Sequence, residues 1–109
     1  MIIAMRVLTL RNEAGARAVP VRIHAPEEEG GHWICRYEIE WPDHTVKRHG
    51  AGVDAVQALV LALQFIGAEL YTSRAHEAGR LSWAEGSGYG FPLAKSVRDL
   101  AVGEDKELT

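Results

Sequence analysis

The residues from His32 to Trp41, H-W-I-C-R-Y-E-I-E-W, alternate between apolar and charged side chains with a period of two. Successive side chains of a β-strand point to opposite faces of the sheet, so this pattern predicts a strand. The apolar set would occupy the core face of an antiparallel sheet and consists of Trp33, Cys35, Tyr37, Ile39 and Trp41. Arg36, Glu38 and Glu40 would face water, with Ile34 the single apolar residue on their side.

The segments around this strand are expected to complete the sheet. Residues 1–12 form an apolar run that Arg6 interrupts, and this run favours a strand over a targeting segment. Apolar and polar residues alternate over 19–24, which predicts a half-buried strand. Residues 27–31, E-E-E-G-G, are expected to form an acidic, flexible turn. A further turn would then return the chain as a paired strand over 45–48.

No charged residue occurs between Ala55 and Ala68, and this segment predicts a long helix that is buried on two sides. Asp54 and Gln57 have the spacing of a capping box at its start. The first apolar stripe is expected to pack on the sheet and consists of Val56, Leu59, Val60, Leu63, Ile66 and Leu70. The second stripe, nearly opposite, needs another cover and consists of Ala58, Leu61, Phe65 and Ala68.

The C-terminal region predicts a short helix that begins near Pro92, a residue suited to the first helical position. The residues spaced for one face of this helix are Leu93, Val97, Leu100 and Ala101. This helix, or a second copy of the chain, would cover the second stripe at Phe65. The predicted fold class is α+β, with a curved antiparallel sheet of about four to six strands packed on one long helix, plus the short C-terminal helix. A single domain would span residues 1–102, followed by a flexible polar tail over 103–109.

The composition argues against two classes of partner, nucleic acid and membranes. The net charge is -3 and Lys47-Arg48 is the only basic pair, so nucleic acid is not expected as a partner. No apolar stretch reaches the ~20 residues needed to cross a bilayer, so no membrane contact is expected. The single cysteine, Cys35, cannot form an intramolecular disulfide and would face the core as an inert thiol. A cytoplasmic localisation is predicted.

A glycine-rich loop, G-S-G-Y-G-F-P at 86–92, lies between a predicted strand at 80–83 and the C-terminal helix. Three hypotheses remain open for it: a phosphate cradle, a loop that contacts a partner, and a turn that folding requires. Its spacing matches neither the Walker nor the dinucleotide fingerprint, and its aromatic side chains would crowd a bound phosphate. The turn is favoured, with all three glycines at positive φ and the aromatics sealing the core. The candidate contacts for a partner or ligand are Trp83, Tyr89, Phe91 and Phe65.

No catalytic residues are apparent, so the chain is not expected to be an enzyme. Glu38 and Glu40 would lie roughly 7 Å apart on one strand face. Arg22 and Arg36 share that face, which therefore reads as a charge-balanced surface in water. Ser87 lies between two glycines but outside the frame of a nucleophile elbow. The five histidines show no metal-ligand spacing, so neither a metal nor another cofactor is expected.

Three segments together resemble a family of small uncharacterised bacterial domains. They are the helix block G-V-D-A-V-Q-A-L-V-L-A-L-Q-F-I-G-A-E-L (Gly52 to Leu70), W-I-C-R-Y-E-I upstream of it and G-Y-G-F-P-L downstream. The resemblance covers most of residues 17–93. It implies a bacterial cytosolic domain and supplies no catalytic residues. More loosely, strands that lead through a glycine into this helix are similar to HicB-type antitoxins and double-stranded RNA-binding domains. The chain lacks the proline-glycine strand motif of the former and the basic helix N-terminus of the latter.

The function that these features favour is a non-enzymatic binding or regulatory module, of a kind that neutralises a toxin or effector protein. The alternative is a small-molecule-binding or hydrolytic domain that uses a pocket beside the loop at 86–92. A homodimer is expected in either case, because the second stripe would otherwise expose an apolar patch. The second stripe and an exposed strand edge are equally favoured as the contact between the two copies.

Overall fold

The structure is a computed structural model that describes residues 1–84 and 86–108, with the backbone alone at 96–98 and at 107 and 108. Its strands are β1 (Ile2–Asn12), β2 (Gly15–His24), β3 (Glu27–Glu29), β4 (His32–Glu40), β5 (Thr45–Gly52) and β6 (Leu81–Ser82). All strand pairs are antiparallel. β5 pairs along the whole of β4, so β2 and β3 share the opposite edge of β4, and β1 and β6 follow beyond β2.

The predicted alternation in β4 is confirmed from Cys35 to Trp41, although Glu38 is half-buried. At the start of the strand it differs, because Trp33 is only half-buried and Ile34, predicted on the water-facing side, is buried. Cys35, Tyr37 and Ile39 are fully buried, and Trp41, directly after the strand, is 9% exposed. Arg36 and Glu40 on the other face lie in water. Tyr37 and Ile39 stand opposite apolar residues of β2, so the two strands present one continuous apolar face.

The acidic segment after β2 differs from the prediction of a turn. Its three glutamates form β3, which pairs with the start of β4. The turn is confined to Gly30 and Gly31, both at positive φ (58° and 88°). Two consecutive residues at positive φ make the tight hairpin loop that matches the twist of the flanking strands.

The long helix, α1 (Ala55–Tyr71), starts close to the predicted position. The carboxylate of Asp54 accepts a hydrogen bond from the Gln57 amide at 2.8 Å, as the capping-box spacing predicts. The side-chain oxygen of Gln57 accepts from the amide of Val53 at 2.7 Å, one residue further back than a capping box requires. Two backbone donors at the helix start are thereby satisfied.

The prediction that the first stripe packs on the sheet is wrong for its N-terminal half. Val56 and Val60 are 69% and 42% exposed, and the residues buried on the sheet side are Ala58, Ala62, Ile66 and Leu70. Glycines in β5 cause this rotation. A Cβ atom on Gly50 would lie 2.5 Å from the Ala62 nitrogen, so the helix and strand backbones approach too closely for any larger side chain. In the N-terminal half of α1, small residues therefore face the sheet, and Val56 and Val60 turn outward.

The C-terminal segment covers α1 at a different point from the one predicted. Gly67 contacts Pro92 and Leu93, whereas Phe65 of the second stripe remains 41% exposed. After this contact the short C-terminal helix takes the 3-10 form over Lys95–Leu100, with Leu93 and Ala101 buried on either side. Leu100 is 44% exposed, and the side chain of Val97 lies outside the described residues.

The residues after 102 do not form the predicted polar tail. Gly103–Leu108 form a second 3-10 helix, and Asp105 within it is 1% exposed. The packed region therefore continues past 102 as far as the structure describes the chain, and Thr109 lies outside the described residues. A second short α-helix, α2 (Arg74–Glu77), connects α1 to β6. None of the described helices is long and apolar enough to cross a membrane.

Candidate functional site

A buried polar cluster joins the end of α1, the glycine-rich loop and the last 3-10 helix. We call it the Asp105 cluster, and it consists of Tyr71, His76, Tyr89 and Asp105. One carboxylate oxygen of Asp105 accepts from the Tyr71 hydroxyl at 2.6 Å and from the Tyr89 amide at 2.7 Å. The other oxygen accepts from the Gly90 amide at 2.7 Å. Three donors therefore compensate the loss of water around this carboxylate.

The glycine-rich loop therefore does hold an anion, and that anion is a carboxylate of its own chain. Two consecutive amides converge on Asp105, which is the arrangement that the phosphate-cradle hypothesis required. Gly88 and Gly90 adopt positive φ (89° and 76°), as predicted, whereas Gly86 does not. A Cβ atom on Gly88 would lie 2.8 Å from a carboxylate oxygen, so the close approach of Asp105 also needs a glycine there.

The two aromatic residues of the loop are sealed inside the protein. Tyr89 and Phe91 are each 3% exposed. The Tyr89 hydroxyl shares a hydrogen bond with Nδ1 of His76. Burial raises the pKa of Tyr89 to about 12, and the negative charge of Asp105 adds to this shift. Burial also raises the pKa of Tyr71, and its hydrogen bond to Asp105 raises it further.

Arg6 of β1 closes the cluster from the sheet side. Its guanidinium donates to the carbonyls of Tyr89 and Gly90 at 3.1 and 2.9 Å. It lies 3.9 Å from the ring centroid of Trp83 and 4.9 Å from that of Phe91, within the range of cation–π contacts. Burial lowers the pKa of Arg6, against the opposing effect of the Asp105 charge. Trp83, Tyr89 and Phe91 are therefore engaged by their own chain.

An open pocket also adjoins the C-terminal end of α1, where the β4–β5 turn faces α2. We call it the Trp41 pocket, and its volume is about 470 Å³. Its apolar wall includes Leu10, Trp41, Val46 and Ala75. Its charged and polar lining includes Asp43, His44, Glu69, Ser73, Arg74 and Arg80. The His44 ring stacks near Trp41, with ring centroids 6.4 Å apart.

The charges of this pocket are unevenly paired. Asp43 lies 2.7 Å from Nδ1 of His44, and this hydrogen bond lowers the pKa of the Asp43 carboxyl. Glu69 lies 3.1 Å from Arg48. Arg74 and Arg80 make no ion pair with any residue that the structure describes. Asp43 and Glu69 thus each have a side-chain partner, and no described carboxylate pairs with either arginine.

A second pocket, of about 400 Å³, adjoins the first and shares Glu69 and Thr72 with it. Phe65 lines this second pocket together with Tyr37 and Arg48. Of the four predicted contact residues, Phe65 is thus the one that lies at a pocket on the surface. Neither of these two pockets is lined by residues 86–92, and a pocket beside the glycine-rich loop stays a prediction.

Sequence reasoning missed Asp105, Arg74 and Arg80. Asp105 was assigned to a tail, although consecutive glycine-flanked amides indicate an anion nearby, and an acidic residue of the same chain is one source of it. The two arginines stand in segments with no motif, and only the fold brings them beside Trp41. Within the described residues, no group of three His, Cys, Asp or Glu side chains gathers in a geometry that would hold a metal ion.

Comparison with known proteins gives one family. Neither a curated protein nor a solved structure matches the chain. The resemblance to HicB-type antitoxins stays a prediction. The model of the family described as "Domain of unknown function (DUF6968)" matches residues 4–93, which include most of β1, all of β2 to β6, both α-helices and the glycine-rich loop. The chain belongs to this family.

Proposed function

We propose that the protein is a non-enzymatic binding module of the bacterial cytosol and that the Trp41 pocket is its binding site. The observation that carries the proposal is the combination of an apolar wall with two arginines that have no ion partner among the described residues. Binding sites commonly combine apolar walls with a few polar groups that fix the orientation of a ligand. A role in neutralising a toxin or effector protein would use this site, or the adjoining one at Phe65.

The ligand class follows from the chemistry of the lining. Guanidinium groups bind carboxylates through planar, charge-assisted hydrogen bonds. The indole of Trp41 and the aliphatic side chains beside it offer an apolar surface for the rest of the ligand. We therefore propose a carboxylate with an aliphatic or aromatic body as the ligand.

Hexanoate is a suitable probe because it joins a carboxylate to a short aliphatic chain. The three tryptophans, Trp33, Trp41 and Trp83, give three separate indole N–H signals in a nitrogen-15 NMR spectrum. Hexanoate should shift the Trp41 signal with a dissociation constant of about 1 mM, a value typical of a small fragment. Hexylammonium, which has the same chain and the opposite charge, should leave that signal in place.

A matched pair of variants tests the role of the arginines. Arg74→Gln combined with Arg80→Gln should weaken hexanoate binding by about tenfold or more, since a charge-assisted hydrogen bond contributes ~1.5–3 kcal/mol. Arg11→Gln, which changes an exposed arginine outside the pocket, should bind as the parent does. An unchanged affinity in the double variant, or a shift confined to the other two tryptophans, would reject the proposal.

One observation favours a hydrolytic use of the same pocket: the His44–Asp43 pair faces a pocket that also contains Ser73. The Ser73 hydroxyl is already engaged, since it donates to the Leu70 carbonyl at 2.7 Å and accepts from the His76 amide. A hydrolytic site would release p-nitrophenol from p-nitrophenyl hexanoate and would lose that activity in Ser73→Ala. The binding proposal expects no release above the buffer rate.

A further inference from the structure

The first strand has an open edge over most of its length. β6 pairs with β1 only at Thr9 and Leu10, and the Arg11 amide donates to the Arg80 carbonyl just beyond. Ala84, at a positive φ of 53°, turns the chain away after β6. From Ile2 to Leu8, no described residue pairs with this edge. The backbone groups of this stretch that face the edge are thus unpaired within the described residues.

The residues that present these backbone groups can be identified. The Arg11 amide faces β6, and alternate residues of a strand direct their amide and carbonyl groups to the same edge. Val7 and Met5 therefore direct theirs to the open edge. Their side chains, with that of Ile3, lie on the outer face of the sheet and are 46%, 60% and 49% exposed. One short stretch thus combines unpaired hydrogen-bonding groups with a row of exposed apolar side chains.

One irregularity interrupts this edge, since the pairing of β1 with β2 shifts register between Ile2 and Ala4, as at a β-bulge. From Ala4 to Leu8 the strand is regular, and no proline or solvent-facing charge blocks pairing with another strand. Natural proteins usually protect exposed edges with charged side chains or proline. Arg6 is the only charged residue of the open stretch, and its guanidinium turns inward onto Trp83 and Phe91. The opposite edge of the sheet, β5, is protected in the usual way, because Lys47, Arg48 and His49 follow one another along it.

We propose that the protein forms a two-fold homodimer in which the open stretch of β1 pairs antiparallel with the same stretch of a second copy. A second copy fits because both partners then offer the same apolar row and the same unpaired backbone groups. The two sheets would join into one. The outer rows of Ile3, Met5 and Val7 would merge into a single apolar cluster across the axis.

The fold also sets the register. β6 occupies the edge from Thr9 onward, and β1 begins at Ile2. The longest register therefore places Ile2 opposite Leu8 of the partner subunit and runs across the register shift between Ile2 and Ala4. Met5 then lies on the two-fold axis and exchanges two backbone hydrogen bonds with its own copy. In such a hydrogen-bonded pair the Cα atoms are about 5.5 Å apart, within the range that a disulfide spans.

Cross-linking tests both the partner and the register. Met5→Cys should form a disulfide-linked dimer under mild oxidation, because the new thiol meets its own copy across the axis. Val53→Cys is the matched control, since Val53 is 82% exposed and lies far from β1 in the sheet. The native Cys35 is buried and should not interfere. Failure of the Met5→Cys chain to cross-link, or equal cross-linking of both variants, overturns the proposal.

The mass in solution tests the β1 contact independently of a disulfide cross-link. Light scattering at micromolar concentration should give twice the mass of one chain for the parent. Met5→Lys should give the mass of one chain, because it places two like charges at the axis. Phe65→Lys, which charges the second stripe, should remain dimeric. A single-chain mass for the parent, a dimeric Met5→Lys or a monomeric Phe65→Lys each rejects the β1 contact.

Discussion

The Asp105 cluster and the Trp41 pocket both adjoin the C-terminal end of α1, and both combine aromatic rings with charged groups. In the Asp105 cluster every donor and acceptor meets a partner of the same chain, and the carboxylate is 1% exposed. In the Trp41 pocket Asp43, Arg74 and Arg80 are exposed, and the two arginines have no ion partner among the described residues. The polar groups of the Asp105 cluster therefore complete the fold, whereas those of the Trp41 pocket remain available to a ligand.

The glycine-rich loop illustrates the difference. Its composition and its position before a helix are those of an anion-binding loop, and its amides do bind an anion. That anion comes from Asp105, so the loop fixes the C-terminal segment onto α1 and β1. A motif therefore indicates the chemistry of a loop, whereas the surrounding fold decides whether the partner is internal or external.

The largest expected effect is that of Asp105→Ala. The substitution leaves the Tyr71 hydroxyl and two loop amides without their acceptor in a buried site. Each buried unsatisfied donor costs about 1–3 kcal/mol, and breaking a buried charged contact typically costs ~3–5 kcal/mol. The free energy of unfolding, measured by urea denaturation, should fall by about 3–5 kcal/mol.

Asp105→Asn is the matched control, because it keeps the shape and one acceptor oxygen. It should lose less stability than Asp105→Ala. If the free energy of unfolding of Asp105→Ala fell by less than about 1 kcal/mol, Asp105 would behave as an ordinary surface residue. That result would contradict its assignment as a group that completes the fold.

The second expected effect is a loss of stability at alkaline pH. The pKa of Tyr89 is raised to about 12, and that of Tyr71 is raised as well, whereas unfolded tyrosines titrate near pH ~10. Above that pH the unfolded chain binds fewer protons than the folded one, so the free energy of unfolding falls as the pH rises. Below it, the contribution of these phenols is fully present.

Thermal melts at increasing pH, followed with phenolate absorbance, would measure this loss. Tyr37 in the sheet core has its pKa raised to about 12 by burial and should contribute in the same direction. Tyr89→Phe removes one of these phenols from the Asp105 cluster and should make the decline in melting temperature shallower. A melting temperature that stays level up to about pH 12 would contradict the burial of these hydroxyls.

Local patterns in the sequence predict much of the fold. The alternation in β4 identifies the core face, and the spacing of Asp54 and Gln57 identifies the start of α1. The orientation of α1 could not be predicted in the same way. Apolar periodicity favours bulky side chains at an interface, whereas here Gly50 and Gly52 bring the backbones together and select Ala58 and Ala62.

The candidate site was harder to predict, because its parts are distant in the chain. Asp105 meets partners 15 to 34 residues away, and no local pattern encodes such a contact. The Trp41 pocket likewise combines the β4–β5 turn, α2 and the residues just before β6. Trp41 was predicted as a core residue, and burial confirms that, but its contribution to a pocket depends on what α2 leaves uncovered.

The smallest effect on stability is expected for Arg74→Gln combined with Arg80→Gln. Both side chains are exposed and lack an ion partner, so the free energy of unfolding should change by less than about 0.5 kcal/mol per substitution. The same double variant should lose hexanoate binding, while folded Asp105→Asn should bind hexanoate as the parent does. Urea denaturation and NMR titration of both variants measure the two effects side by side. If the double variant lost several kcal/mol of unfolding free energy, Arg74 and Arg80 would stabilise the fold, as Asp105 does. They would then not be available to bind a ligand in the pocket.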